Sequence, residues 1–243
     1  MRYFIFYIQY SKVDHDQDVI RFIKKNINGL NKISNERIYS ELIKILKLES
    51  FCNLFTNNQS LEIITSIFPQ FKYYERLKIF KGLNKNLKFK YDECLILSIL
   101  TLDSSNDYEY FCHKYKISNN FKNRFKNISQ NYENLKSKKF YSEENIKKLI
   151  YFMEKNNVID LLLFAQCAVN KTKNFNIEKL IEFVNISKVP KFPISGDYLK
   201  KFGYKTGENL GKKLKSLEEK SIKNNFVIDK KTIEDSLEKN NKN

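Results

Sequence analysis

The stretch Ser34-Asn-Glu-Arg-Ile-Tyr-Ser-Glu-Leu-Ile-Lys-Ile-Leu46 decides the fold class. A serine oxygen can accept from the free N–H groups of a helix's first turn. Ile38, Leu42, Ile45 and Leu46 then follow at i, i+4, i+7 and i+8, one face of a 3.6-residue period. Ser142 opens a second helix of the same kind. Glu143 and Glu144 suit the positive end of its dipole, and Ile146, Leu149, Ile150 and Met153 make its apolar face. Outward from these two, the same period predicts helices near 58–67, 73–82, 91–102, 106–116, 118–137, 157–170 and 176–187. No segment alternates as a strand should. With 6 Gly and 3 Pro in 243 residues, the chain reads as all-α.

The composition points to a polyanionic partner. Lys and Arg number 44 against 28 Asp and Glu, a net charge of +16, and such a field attracts phosphate backbones, which release counterions on binding. A coding bias toward Lys, Asn, Ile, Phe and Tyr would give the same excess, so charge alone leaves nucleic acid and a plain basic surface both open. Cys52, Cys94, Cys112 and Cys167 lie far apart with no C-x-x-C pair, as free thiols of a reducing cytosol would. Cys112-His113 and His15 offer too few ligands for zinc, and no metal site is expected. The N-terminal run Met1 to Tyr10 lacks a cleavage site after it. The longest mostly apolar run, Val158 to Val169, is too short to span a bilayer, so the expectation is a soluble, cytoplasmic protein.

Lys188-Val-Pro-Lys-Phe-Pro-Ile-Ser195 is the strongest break, since two prolines end one helical body. A softer break falls near 50–57. The expected organisation is helices over 1–50, a helical body over 51–189, a Gly-spaced helical tail over 190–228, and a last helix with a disordered end over 229–243. There is no internal repeat.

Three stretches together resemble the class II tRNA nucleotidyltransferases, the family of CCA-adding enzymes and bacterial poly(A) polymerases. Ser34 to Leu46 follows the family's Ser-x-Glu-Arg-Ile-x-x-Glu-Leu-x-Lys-Ile-Leu neck segment, after an Arg2 to Tyr10 helix similar to its Arg-x-x-Arg-Phe helix, with Ile5 where an arginine is usual. Leu61 to Pro69 and Tyr115 to Arg124 are similar to two body segments. Phe192 to Leu214 is similar to the tail's Gly-x-x-x-Gly and Gly-x-x-Leu pattern.

The resemblance implies a helical neck, body and tail, with no β-sheet head. It implies addition of nucleotides to RNA 3′ ends, as CCA addition or polyadenylation, by a head whose metal-binding carboxylates fall upstream of residue 1. On this alignment the chain is a truncated form of the family. It binds no cofactor itself, Mg²⁺ and CTP or ATP belong to the missing head, and the partners are tRNA or other RNA and a separately encoded head. A non-catalytic RNA-binding module, or the remnant of a truncated gene, stays open beside this. The resemblance also gives Glu36, Arg37 and Glu41 the task of bracing the neck, and Arg37 and Glu41, at i and i+4, are able to meet.

Two features of the residues themselves bear on chemistry. Two-metal phosphoryl transfer needs convergent acids on a rigid frame. Asp14-His-Asp16 and Asp103 to Asp107 fall where loops are expected, as solvated or helix-capping residues, so no catalytic residue is assigned. The tail carries the better site, because Gly207 to Gly211 opens a helix whose first N–H groups can hold a phosphate. Lys200, Lys201, Lys205, Lys212, Lys213 and Lys215 surround Gly207 and would touch a sugar-phosphate backbone by shape and charge. A second basic stretch, Lys114 to Lys148, interleaves Tyr115, Phe121, Phe125, Tyr132, Phe140 and Tyr141, which could stack on unpaired bases or form core.

Overall fold

The structure is a computed structural model, and it describes residues 1–11, 14–87, 91–169, 175–229 and 233. Among these residues every regular element is helical. The α-helices are α1 (Arg2–Tyr10), α2 (Gln17–Asn26), α3 (Asn35–Leu46), α4 (Asn58–Ile67), α5 (Arg76–Leu87), α6 (Glu93–Thr101), α7 (Asp107–Lys114), α8 (Asn119–Asn131), α9 (Glu143–Phe152), α10 (Lys155–Ala168), α11 (Ile177–Ile186), α12 (Gly196–Lys200) and α13 (Glu208–Lys223). The all-α expectation holds. None of these helices is long and apolar enough to cross a membrane. Residues 230–232 and 234–243, and so the expected disordered end, lie outside the described residues.

The start signals act as the sequence suggests. Ser34 accepts from Arg37 N–H at the head of α3, and Ser142 from Asn145 N–H at the head of α9. Asp16 caps α2 by accepting from Asp18 and Val19. The helix expected over 118–137 stops at Asn131, because Tyr132 turns inward. Its ring meets Phe164 at 6.0 Å and its hydroxyl accepts from Arg76 at 3.4 Å, after which the chain continues as a short 3-10 turn over Asn134–Lys136.

The chain packs as two compact units, residues 1–140 with 159–181, and residues 141–158 with 182–243. In the first, α6 is buried along its whole length from Cys94 to Thr101, and Leu161 to Ala165 of α10 are equally enclosed. A helix apolar on all sides belongs in an interior. Around them lie Ile38, Leu42, Ile45 and Leu46 of α3, and rings from two segments: Phe68 stacks on Phe71 at 5.0 Å and Phe111 meets Tyr115 at 4.9 Å. Residues 51–55 do not separate two bodies. They form a 3-10 turn whose Phe51, Cys52, Leu54 and Phe55 are buried inside this unit.

Two of the five arginines are built into this interior. Arg76 stacks over the Tyr73 ring at 3.8 Å and donates to the carbonyls of Ile99 and Leu102, which satisfies the C-terminal end of α6. Arg124 of α8 forks between Asp92, which caps α6, and Asp160 on α10. His15, 3% exposed, fastens α1 to α4: Nδ1 lies 3.0 Å from Tyr3 Oη, Nε2 bonds Ser60 Oγ, and Tyr7 stacks on the ring at 3.6 Å. All four cysteines are free and buried, and burial pushes the Cys52 and Cys112 thiols each up to about 11.

The second unit joins α9 to the tail hairpin. Its core is Ile194, Leu199, Leu217 and Ile233, flanked by Phe192, Tyr198, Tyr204, Leu210 and Leu214. Tyr151 of α9 donates to Glu218 of α13, and its ring meets Phe226 at 5.0 Å.

Candidate nucleic-acid interface

The α12–α13 connection in the second unit forms an open groove of about 920 Å³. Phe202, Gly203, Tyr204, Lys205, Thr206, Gly207, Glu208, Asn209, Lys212, Lys213 and Ser216 line it. Its shape comes from the backbone. Gly203 has φ +87°, and its N–H donates to Lys200 O while Tyr204 N–H donates to Leu199 O, so the chain leaves α12 through a left-handed residue. Gly207, φ +151°, is the N-cap of α13 and gives it no side-chain cap.

Of the tail residues singled out by sequence, Lys205, Gly207, Lys212 and Lys213 share this groove, while Lys200, Lys201 and Lys215 lie outside its lining. Lys212 and Lys200 each carry an acidic partner on their own helix. Lys212 Nζ is 2.6 Å from Glu208, at i,i+4, and Lys200 Nζ is 2.9 Å from Asp197, whose carboxyl that hydrogen bond holds below the usual range. Glu208 is an acid among these lysines, and a carboxylate in the first turn already takes up part of the positive field at the helix end. The groove is therefore basic with one acid inside it.

Of the residues assigned to the neck, Glu36 and Glu41 are ion-paired and Arg37 is exposed. Lys116 binds Glu36 and holds it below the usual carboxylate range. Glu41 turns to Lys44 at 2.6 Å and to Arg2 at 3.8 Å, instead of meeting Arg37, which stands exposed. Lys116 itself has φ +50°, so the α7–α8 turn that carries this contact is left-handed at a non-glycine residue.

The second basic stretch does not offer rings for stacking. Tyr115, Phe125, Phe140 and Tyr141 are buried, Phe121 is partly covered beside Arg124, and Tyr132 packs on Phe164. Apolar spacing at helical period won over the basic surroundings. Three of the four acids in the two candidate loops have structural partners: Asp16 caps α2, Asp103 accepts from Tyr73 Oη at 2.5 Å, and Asp107 pairs with Lys72 at 2.9 Å. Among the described residues no three His, Cys, Asp or Glu side chains converge where they could hold a metal ion.

The pattern of tRNA nucleotidyltransferase domain 2 matches residues 89–237, and that of the RNA and SrmB-binding site of polymerase A matches residues 15–75. The first match covers more than half of the chain, and the chain belongs to the tRNA nucleotidyltransferase family. It is 30% identical over 201 residues to the CCA-adding enzyme of Lactococcus lactis subsp. cremoris (strain SK11), covering 80% of this chain and 46% of that enzyme. It is 28% identical over 234 residues to the mitochondrial CCA tRNA nucleotidyltransferase 1 of Mus musculus, covering 95% of this chain and 52% of that protein. The chain thus spans about half the length of the curated relatives it matches. Its fold is that of the Thermotoga maritima CCA-adding enzyme complexed with tRNA, with a TM-score of 0.57 at 17% identity over 98% of this chain and 60% of the other. A CCA-adding enzyme complexed with ATP gives a TM-score of 0.59 at 18% identity, over 98% and 58%.

Proposed function

We propose that these residues are the RNA-holding helical portion of a tRNA nucleotidyltransferase, which grips tRNA while a catalytic portion outside them adds nucleotides to the 3′ end. The observation that carries this reading is the family match over 89–237, because those residues include the whole glycine-framed basic groove. The named relatives are CCA-adding enzymes, so CCA addition is the activity proposed. Mg²⁺ and CTP or ATP would be held by the catalytic portion, whether on the same polypeptide or another.

In the groove, Lys205, Lys212 and Lys213 would meet phosphates, Lys212 while sharing its charge with Glu208. Backbone contacts of this kind fix position without reading sequence. The test is charge reversal inside the groove: Lys212→Glu with Lys213→Glu against the same reversal at Lys230 and Lys231, which lie outside the described residues. Both variants change net charge equally. The groove variant is expected to weaken tRNA binding by at least about tenfold more than the control, with circular dichroism unchanged, since two phosphate contacts are lost and two repulsions gained. Equal weakening would mean that diffuse charge does the binding and the groove holds nothing of its own.

A further inference from the structure

The glycine-framed groove of the second unit is lined by more than cations and backbone. Phe202 stands in its wall, 43% exposed. A single exposed apolar side chain is ordinary on a protein surface, and what sets Phe202 apart is where the backbone holds it. Leu199 lies in the core of this unit, and Tyr204 packs against that core. Phe202 falls between them, its N–H donating to Leu199 O at 3.0 Å. Gly203, at φ +87°, then reverses the chain, and Tyr204 N–H donates back to the same carbonyl. The turn thus returns Tyr204 to the core and leaves the Phe202 ring outward, braced by Tyr198 with 5.1 Å between ring centroids. Lys205, Lys212 and Lys213 line the same groove. An aromatic ring on bonded backbone, set among cations, is the combination that holds unpaired nucleic acid: the ring stacks on a base while the cations follow the phosphates.

We propose that this groove takes an unpaired nucleotide of the RNA, with its base stacked on Phe202 and its flanking phosphates near Lys205, Lys212 and Lys213. At about 920 Å³ the groove falls within the roughly 300–1,000 Å³ of small-molecule sites, enough for one nucleotide and its neighbouring phosphates. A paired base cannot serve, because both of its faces are stacked inside the helix. The groove therefore selects a loop, a bulge or an end over the flank of a duplex. Every base has a π-face, so the choice is made by pairing and not by sequence. An acidic peptide would neutralise the lysines but leave the ring uncovered, and an apolar one would do the opposite. This inference rests on the groove being the RNA site proposed above, and it adds the kind of RNA that the groove holds.

The experiment uses the full chain and two RNA hairpins of the same sequence, one intact and one in which every loop nucleotide is abasic. The two carry the same phosphates and differ only in the loop bases. Filter binding should show the unmodified chain preferring the intact hairpin by about tenfold, the worth of one stacked base. Phe202→Ala should bind both hairpins equally, at the affinity that the unmodified chain has for the abasic one, with circular dichroism unchanged. Phe202→Trp, which keeps a stacking face, should retain the preference. Equal affinity of the unmodified chain for the two hairpins, or a Phe202→Ala variant that keeps the preference, would overturn the assignment. Where both hairpins bind equally and Lys212→Glu with Lys213→Glu weakens both, the groove holds phosphates alone, so this inference fails and the proposed function stands. Binding of neither hairpin nor tRNA would overturn the two together.

Discussion

Arg124→Leu removes a cation that serves two acids in the first unit. Nε and Nη2 lie 2.8 and 2.7 Å from Asp160 Oδ2, and Nη1 and Nη2 lie 2.5 and 2.9 Å from the two oxygens of Asp92. The two halves of this fork are unequal. Asp92 is 41% exposed, so its half has the worth of a surface pair, at most about 1 kcal/mol. Asp160 is 12% exposed, and stripping a buried charge of its partner costs about 3–5 kcal/mol. Burial already raises Asp160 to about 6 despite the guanidinium beside it. The folded state therefore holds this proton more tightly than the unfolded chain, and ionising it as pH rises through about 4 to 6 subtracts stability. Without Arg124 that subtraction extends further up the pH scale. The variant should lose about 3–5 kcal/mol at pH 7.5 in urea denaturation and clearly less at pH 5, where Asp160 is mostly protonated in the wild type too. Arg124→Leu combined with Asp160→Leu should recover most of the loss. A loss below about 1 kcal/mol, or one identical at both pH values, would refute the view of Asp160 as the buried, dependent charge.

Other consequences follow from single residues. Burial lowers the His15 pKa, so its contribution to stability is present above about 6.5 and is lost as pH falls through that value; the stability gap between wild type and His15→Gln should shrink on going from pH 7.5 to 5.5 in thermal denaturation. Gly203→Ala meets nothing within 4 Å of its new Cβ, yet φ of +87° is a left-handed conformation, so denaturant melting should show a pure backbone cost of about 1–2 kcal/mol. Glu208→Gln frees Lys212 and removes the acid from the groove, and should tighten tRNA binding about two- to fivefold in filter binding at low salt.

The fold was legible because its signals are local. Ser34, Ser142 and the apolar period around them are read within a dozen residues, and the helix expected over 58–67 is α4, Asn58–Ile67. What escaped depends on residues distant in the chain. Tyr132 ends α8 because Phe164 and Arg76 wait for it, 32 and 56 residues away. His15 is fixed by Ser60, 45 residues on, and nothing near it in sequence announces that. The buried roles of Arg76 and Arg124 left a faint trace: in a chain that writes nearly every cation as Lys, an Arg stands where a planar fork is needed. The Glu208–Lys212 pair stands at i,i+4, a spacing that is legible in the sequence. Aromatic residues in the Lys114 to Lys148 stretch show the reverse, since their basic neighbours suggested stacking while their period had already assigned them to the core.

The central claim is that this chain holds RNA through its phosphates, and the salt dependence of tRNA binding tests it most directly. Each neutralised phosphate releases counterions, so contact with about five of them should lower affinity by roughly 10²–10³-fold between about 50 and 200 mM salt. Filter binding of labelled tRNA to the unmodified chain at those two concentrations is expected to show a fall of that size. Binding that is absent at the lower concentration, or that stays level between the two, would contradict the account.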